Sequence, residues 1–136
     1  MEDINYVLIY SAVYSYEDKY INFYNTFSKI DWDKLHIEKV LILGLGLASI
    51  PQMLEKNFKK QFEYHIVEID SEIIRLAEEY ILNDLTSQFF IYEMDAEIYI
   101  DITTEKFDMI IIDIFDNNTI PFKFETNEFW GKPETC

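Results

Sequence analysis

The sequence contains few of the residues that cross-link a chain or divide it into segments. One of its 136 residues is a cysteine, Cys136, so no internal disulfide can form. Three glycines and three prolines leave no flexible or proline-rich linker, and the chain has no repeats or low-complexity segments. We therefore expect a single unit that is stabilised by its apolar core.

A long apolar run is also absent. The run around Val40 is too short to cross a bilayer and is interrupted by glycines. The acidic residues Glu2 and Asp3 at the start exclude an ordinary signal peptide. The sequence therefore predicts a cytoplasmic protein with no membrane partner.

Positive charge is scarce, because 11 Lys and Arg residues stand against 26 Asp and Glu residues, for a net charge of −15. Such a surface repels phosphate backbones, so no nucleic-acid partner is expected. It favours a small-molecule substrate, in particular a cationic amine. The alternative is that the acidic surface only keeps the protein solvated. No metal site is predicted.

Apolar residues are abundant, at 49%, and occur in short runs that alternate with amphipathic stretches. Such alternation with short links is typical of right-handed crossovers and a parallel sheet. We expect an α/β fold with a Rossmann-like parallel sheet and flanking helices in 37–136. A strand or half of a hairpin and an amphipathic helix precede it in 1–36. The predicted strands cover 5–14, 39–43, 62–67, 88–92 and 107–112, and the predicted helices cover 20–30, 49–60 and 70–81.

A glycine turn follows the strand 39–43. Gly44 and Gly46 let the backbone bend sharply and approach a ligand without a Cβ in the way. The capping-box pattern of Ser49-Ile50-Pro51-Gln52 predicts a helix start whose amides point to the same place. The alternative is a tight strand-to-helix turn with no ligand. The third glycine of a dinucleotide fingerprint is replaced by Ser49, which disfavours NAD.

Acidic residues end the next two strands. Glu68 lies 24 residues after Gly44, where a carboxylate can accept both hydroxyls of a ribose. Asp70 is better explained as a helix cap. Asp95 could accept from an adenine amino group, and the alternative is that it caps the segment 96–100.

Two further carboxylates follow the strand 107–112. Asp113 ends this buried run and Asp116 lies just beyond it. Two acids this close would suit an ammonium group that must be positioned and deprotonated before it attacks an electrophile. The alternative for Asp116 is a turn residue, and for Asp113 a purely structural acid.

In combination these motifs resemble the spermidine synthase-like (aminopropyltransferase) branch of the class I S-adenosylmethionine-dependent methyltransferase superfamily. The resemblance spans roughly 14–130. The matching segments are Val40-Leu41-Ile42-Leu43-Gly44-Leu45-Gly46, Val67-Glu68-Ile69-Asp70, Asp95-Ala96, Asp113-Ile114-Phe115-Asp116, Ile120-Pro121 and Thr126-Asn127-Glu128-Phe129.

The resemblance implies a ligand and roles for these residues. The ligand would be S-adenosylmethionine or decarboxylated S-adenosylmethionine. Gly44 and Gly46 would approach its amino-alkyl side, Glu68 its ribose, and Asp95 with Ala96 its adenine. The reaction would be methyl or aminopropyl transfer to a small acceptor. For that step the resemblance makes Asp113 the base or orienter of an acceptor amine, with Asp116 as its partner.

The chain departs from the family pattern at two points. Leu47 stands where the family has an aspartate that contacts the amino-alkyl chain, which favours methyl over aminopropyl transfer. The family sheet has seven strands, and only its first four are predicted here. The strand 107–112 is therefore expected to keep an unpaired edge, and the chain is expected to form a homo-oligomer joined near it.

Three alternatives to such a transferase remain. The first is an ordinary methyltransferase that acts on a small molecule. The second is a non-catalytic domain that binds nucleosides or self-associates. An NAD enzyme is a more distant alternative.

Overall fold

The computed structural model describes residues 6–10, 16–46, 48–113 and 134–135, and it shows the predicted α/β fold. The sheet has six strands in the order β4-β3-β2-β5-β1-β6, and all the pairings are parallel. Short 3-10 turns lie at Trp32–Lys34 and Leu82–Asp84. The elements are β1 Val7–Tyr10, α1 Tyr16–Lys29, β2 Lys39–Leu43, α2 Ser49–Lys56, β3 Glu63–Glu68, α3 Ser71–Tyr80, β4 Gln88–Glu93, α4 Ala96–Ile102, β5 Met109–Ile112 and β6 Glu134–Thr135.

The central strands are continuous apolar runs because helices cover the sheet on both faces. All four residues of β5 are buried, as are the last four of β2. Side chains of α1, α2 and α3 pack on one face, and α4 packs on the other through Tyr99. Among the described helices, none combines the length and apolar character that crossing a membrane requires.

The expectation of an unpaired edge beside β5 is wrong. β5 pairs with β2 on one side and with β1 on the other, in a register that sets Val7 opposite Met109. β1 forms this central pairing because Val7, Leu8 and Ile9 are apolar and fill both faces of the sheet. β1 is thus a parallel strand and not half of a hairpin. The segment boundary at 36/37 stays a prediction.

The capping-box prediction for α2 is also wrong. Ser49 is the first helical residue, and the N-cap is Ala48 in the left-handed conformation with φ 59°, without a side-chain cap. The helix ends at Lys56 rather than near Lys60. A hydrogen bond from Lys60 N to Leu54 O (2.9 Å) closes this end, after Lys59 in the left-handed conformation with φ 57°.

A buried histidine joins β3 to β4. The His65 side chain is only 4% exposed, and its Nε2 lies 2.7 Å from Glu63 Oε2 while Nδ1 lies 2.9 Å from the Tyr92 hydroxyl. Its ring stacks on Phe90, with centroids 4.8 Å apart. Because both ring nitrogens have partners, the burial of this polar ring is tolerated.

We expect His65→Ala to lower the free energy of unfolding by about 2–4 kcal/mol. It removes a packed ring and leaves the side chains of Glu63 and Tyr92 without the hydrogen bonds that they make to it. Urea denaturation measures this loss. The second histidine of the chain, His36, is exposed, so His36→Ala serves as the control and should change stability by about 0.5 kcal/mol or less. Equal effects of the two substitutions would contradict the proposed role of the His65 contacts.

The start of β4 is tied to α2 by the Glu55 carboxylate. It accepts hydrogen bonds from Thr86 N (2.9 and 3.0 Å), Ser87 N (2.9 Å) and Ser87 Oγ (2.8 Å). Burial alone would raise the pKa of Glu55, but these hydrogen bonds outweigh it and hold the pKa below its ordinary value.

A carboxyl with a lowered pKa in the folded state stabilises the protein above its unfolded pKa, and this stabilisation is lost as the pH falls through the folded pKa. Glu55→Gln should therefore cost about 1–2 kcal/mol at pH 7, and the difference from wild type should shrink towards about pH 4. Chemical denaturation at both pH values measures it, with the exposed Glu78→Gln as the control. A difference that does not depend on pH would contradict this assignment.

Candidate functional site

The candidate site lies where the strand order reverses. β2 is followed along the chain by β3 and β4 on one side, whereas β5 returns to its other side. At such a point the loops leave the sheet in opposite directions, and a crevice opens outside the carboxyl ends of the strands. The glycine turn follows β2 at this edge, and Asp113 follows β5.

The glycine turn is held close to the end of β5. Gly44 and Gly46 have φ values of 95° and 55°, which glycine adopts readily. A Cβ added at Gly46 would lie 3.8 Å from Asp113 Oδ2. The Asp113 amide donates to Leu43 O (2.7 Å), so the main chain itself fixes this acid beside the turn.

Asp113 is 7% exposed at the end of an apolar strand. A carboxylate in this position places negative charge at the carboxyl edge of the sheet, where it can attract a cation or accept a proton. Asp116 and Leu47 lie outside the described residues. The predicted pairing of Asp113 with Asp116 and the effect of Leu47 therefore stay predictions.

Glu68 connects the end of β3 to the glycine turn. Its Oε1 accepts from Leu45 N (2.9 Å) and its Oε2 from Asp70 N (3.0 Å). The sequence pattern indicated a ribose contact but not this structural role. Each carboxylate oxygen has two acceptor positions, so these bonds leave capacity for ligand hydroxyls.

The other two acids cap helices. Asp70 accepts from Glu72 N (2.9 Å) and Ile73 N (3.4 Å), which confirms its predicted role at α3. Asp95 likewise caps α4 through Glu97 N (2.8 Å) and Ile98 N (3.2 Å), as the alternative interpretation proposed.

Asp95 and Ala96 lie further along the same sheet edge, because β4 is separated from β2 by β3. A hydrogen bond from Met94 N to Glu68 O (3.1 Å) joins this part of the edge to the end of β3. A contact of Asp95 or Ala96 with an adenine stays a prediction.

Two features of the edge were missed by sequence reasoning. Ile69 is 66% exposed directly after Glu68 and offers apolar surface next to that carboxylate. The sequence signal that could have identified Ile69 was its position between Glu68 and Asp70. The second is Ala48, which is buried in a left-handed conformation that costs a non-glycine residue free energy.

The sequence of this chain is similar to those of two curated relatives. A polyamine aminopropyltransferase of Vibrio vulnificus is 33% identical over 95 residues, which are 68% of this chain and 31% of that protein. A probable polyamine aminopropyl transferase of Bifidobacterium longum is 31% identical over 90 residues, 66% of this chain and 20% of that protein. The chain thus spans less than a third of the length of either relative.

The chain is a spermidine synthase-like domain with the methyltransferase fold. The solved structure of human methyltransferase-like protein 13 in complex with SAH supports the fold, with a TM-score of 0.53 and 22% identity. The match covers 71% of this chain and 48% of the human chain. No protein-family model matches the chain.

Proposed function

We propose that this spermidine synthase-like domain binds S-adenosylmethionine or decarboxylated S-adenosylmethionine and acts in alkyl transfer to a small amine acceptor. The observation that carries the proposal is the approach of the Gly46 turn to Asp113 at the reversal of strand order. A main chain that a ligand can approach closely thus lies beside a buried acid, and Glu68 is hydrogen-bonded to the same turn.

The residues present fit such a donor. Gly44 and Gly46 leave room for its amino-alkyl side, since neither carries a Cβ. Glu68 is already held in place by two main-chain amides and can accept ribose hydroxyls with its remaining lone pairs. Ile69 supplies exposed apolar surface next to it, and Asp95 lies further along the edge for the adenine.

Asp113 gives the site its chemistry in this proposal. When bound, the donor supplies a carbon beside a positively charged sulfur that leaves as a neutral thioether. The Asp113 carboxylate attracts the acceptor ammonium, orients it and takes a proton from it, so that the nitrogen lone pair becomes available. The charge of −15 on the chain favours the same cationic acceptor.

Methyl transfer is the second candidate for the reaction. Leu47 favours it, because the family aspartate at this position contacts the amino-alkyl chain of the aminopropyl donor.

Calorimetric titration of wild type with S-adenosylmethionine, its decarboxylated form and NAD distinguishes aminopropyl transfer, methyl transfer and an NAD-dependent reaction. Tighter binding of the decarboxylated form supports aminopropyl transfer, and tighter binding of NAD would overturn both.

Glu68→Ala should weaken S-adenosylmethionine binding by about tenfold or more, because a charge-assisted ribose contact and the anchor of the glycine turn are both lost. Isothermal titration calorimetry measures the affinity. Asp70→Ala is the matched control, since it removes a neighbouring carboxylate that only caps α3 and should leave the affinity within about twofold. Wild type that binds neither S-adenosylmethionine nor methylthioadenosine at millimolar ligand would refute the donor assignment.

Asp113→Asn should lower turnover with a linear diamine by about a hundredfold or more while donor affinity changes little, because the amide keeps the size but cannot take a proton. Single-turnover kinetics and donor titration measure the two effects. Asp84→Asn makes the same charge change at an exposed position before β4 and should leave both unchanged. Unchanged turnover in Asp113→Asn would remove Asp113 from the mechanism, and a loss of donor affinity alone would reassign it to binding.

A further inference from the structure

The outer edge of β4 has the composition of a strand that pairs with another strand. Its sequence, Gln-Phe-Phe-Ile-Tyr-Glu, contains no lysine or proline and has its one charge at the end. All six residues pair with β3 in regular register, without a bulge. Natural proteins usually protect exposed edges with lysine, proline or bulges, and β4 has none of these. Among the described strands, β3 alone pairs with it.

The main-chain groups that point outward can be identified from the hydrogen bonds to β3. Gln88 N donates to Phe62 O (3.3 Å) and Met94 N donates to Glu68 O (3.1 Å). Since directions alternate along a strand, the even-numbered residues of β4 bond to β3. The amides and carbonyls of Phe89 and Ile91 therefore point away from the sheet.

Aromatic stacks run towards this edge on both faces of the sheet. On one face Tyr64 stacks with Phe89, with centroids 5.3 Å apart, and on the other His65 stacks with Phe90 at 4.8 Å. Phe90 remains 39% exposed. Each stack ends in a ring of β4, so an added strand would continue both.

We infer that β4 pairs antiparallel with β4 of a second copy of this chain, about a two-fold axis at Phe90. In that register Phe90 faces its own symmetry mate, while Phe89 and Ile91 of one copy exchange main-chain hydrogen bonds with Ile91 and Phe89 of the other. Glu93 is set opposite Ser87, which carries no charge of its own. A shift of the axis to Ile91 would instead set Glu93 against Phe89.

Helix α4 adds apolar surface on the same face as Phe90. The Tyr99 ring lies 4.9 Å from that of Tyr92, which places α4 over this part of the sheet. Ile98 and Ile102 on this helix are 55% and 64% exposed. Because the axis is perpendicular to the sheet, both copies of α4 lie on one face of the joined sheet and extend the apolar surface around the strand pair.

This interface differs from the predicted one beside β5, which is filled by β1. Two chains that each carry a net charge of −15 repel each other, and this repulsion opposes formation of the dimer. The dimer should therefore become tighter as salt screens that repulsion.

Sedimentation velocity tests the interface directly. Wild type should dimerise at micromolar concentration, whereas Phe90→Lys and Phe90→Glu should each raise the dissociation constant by about tenfold or more, since like charges then meet at the axis. An equimolar mixture of the two variants should restore the dimer. Tyr80→Lys is the control, because it makes the same change at another exposed aromatic residue and should dimerise like wild type.

Hydrogen exchange on the wild type keeps the test independent of how well the variants fold. The amides of Phe89 and Ile91 should become protected as concentration rises, while those of Phe90 and Tyr92 should be protected throughout. A wild-type monomer at all concentrations, a Phe90→Lys variant that dimerises normally, or rapid exchange of Phe89 and Ile91 in a dimer would overturn the proposal.

Discussion

The candidate site depends on the parallel pairing of β2 with β5. This pairing sets the end of β5 beside the glycine turn and brings Asp113 Oδ2 within 3.8 Å of the position that a Cβ on Gly46 would occupy. It is maintained by apolar side chains that are buried on both faces of both strands. Hydrophobic packing, which is not directional, thus positions a polar site through the main-chain geometry that it stabilises.

Glu68 has two roles at this site. Its carboxylate already accepts from the amides of Leu45 and Asp70, so the glycine turn and the end of β3 form one hydrogen-bonded unit. A ligand that meets this unit finds the acceptor oxygens fixed in advance, which lowers the entropic cost of binding. The same contact means that a change at Glu68 alters both the shape of the turn and the chemistry of the site.

The local features of the fold could be predicted from the sequence because they depend on neighbouring residues. Alternating apolar runs indicated the buried strands, and Asp70 before an amphipathic stretch indicated a helix cap. Features that depend on distant residues could not be predicted. The place of Val7 beside Met109 is set by long-range pairing, and the left-handed Ala48 displaced the expected cap at Ser49. The acids ending β3, β4 and β5 were correctly placed at one sheet edge, but their hydrogen-bond partners required the structure.

The proposed function depends on binding of an adenosyl sulfonium donor at the carboxyl edge around the glycine turn. Amide NMR of the isotope-labelled chain during titration with S-adenosylmethionine tests this binding. We expect the amides of Gly44, Leu45, Gly46 and Ile69 to shift most, with smaller changes near Asp95 and none around the exposed His36 at the opposite edge. Shifts centred on that opposite edge, or no shifts at millimolar ligand, would contradict it.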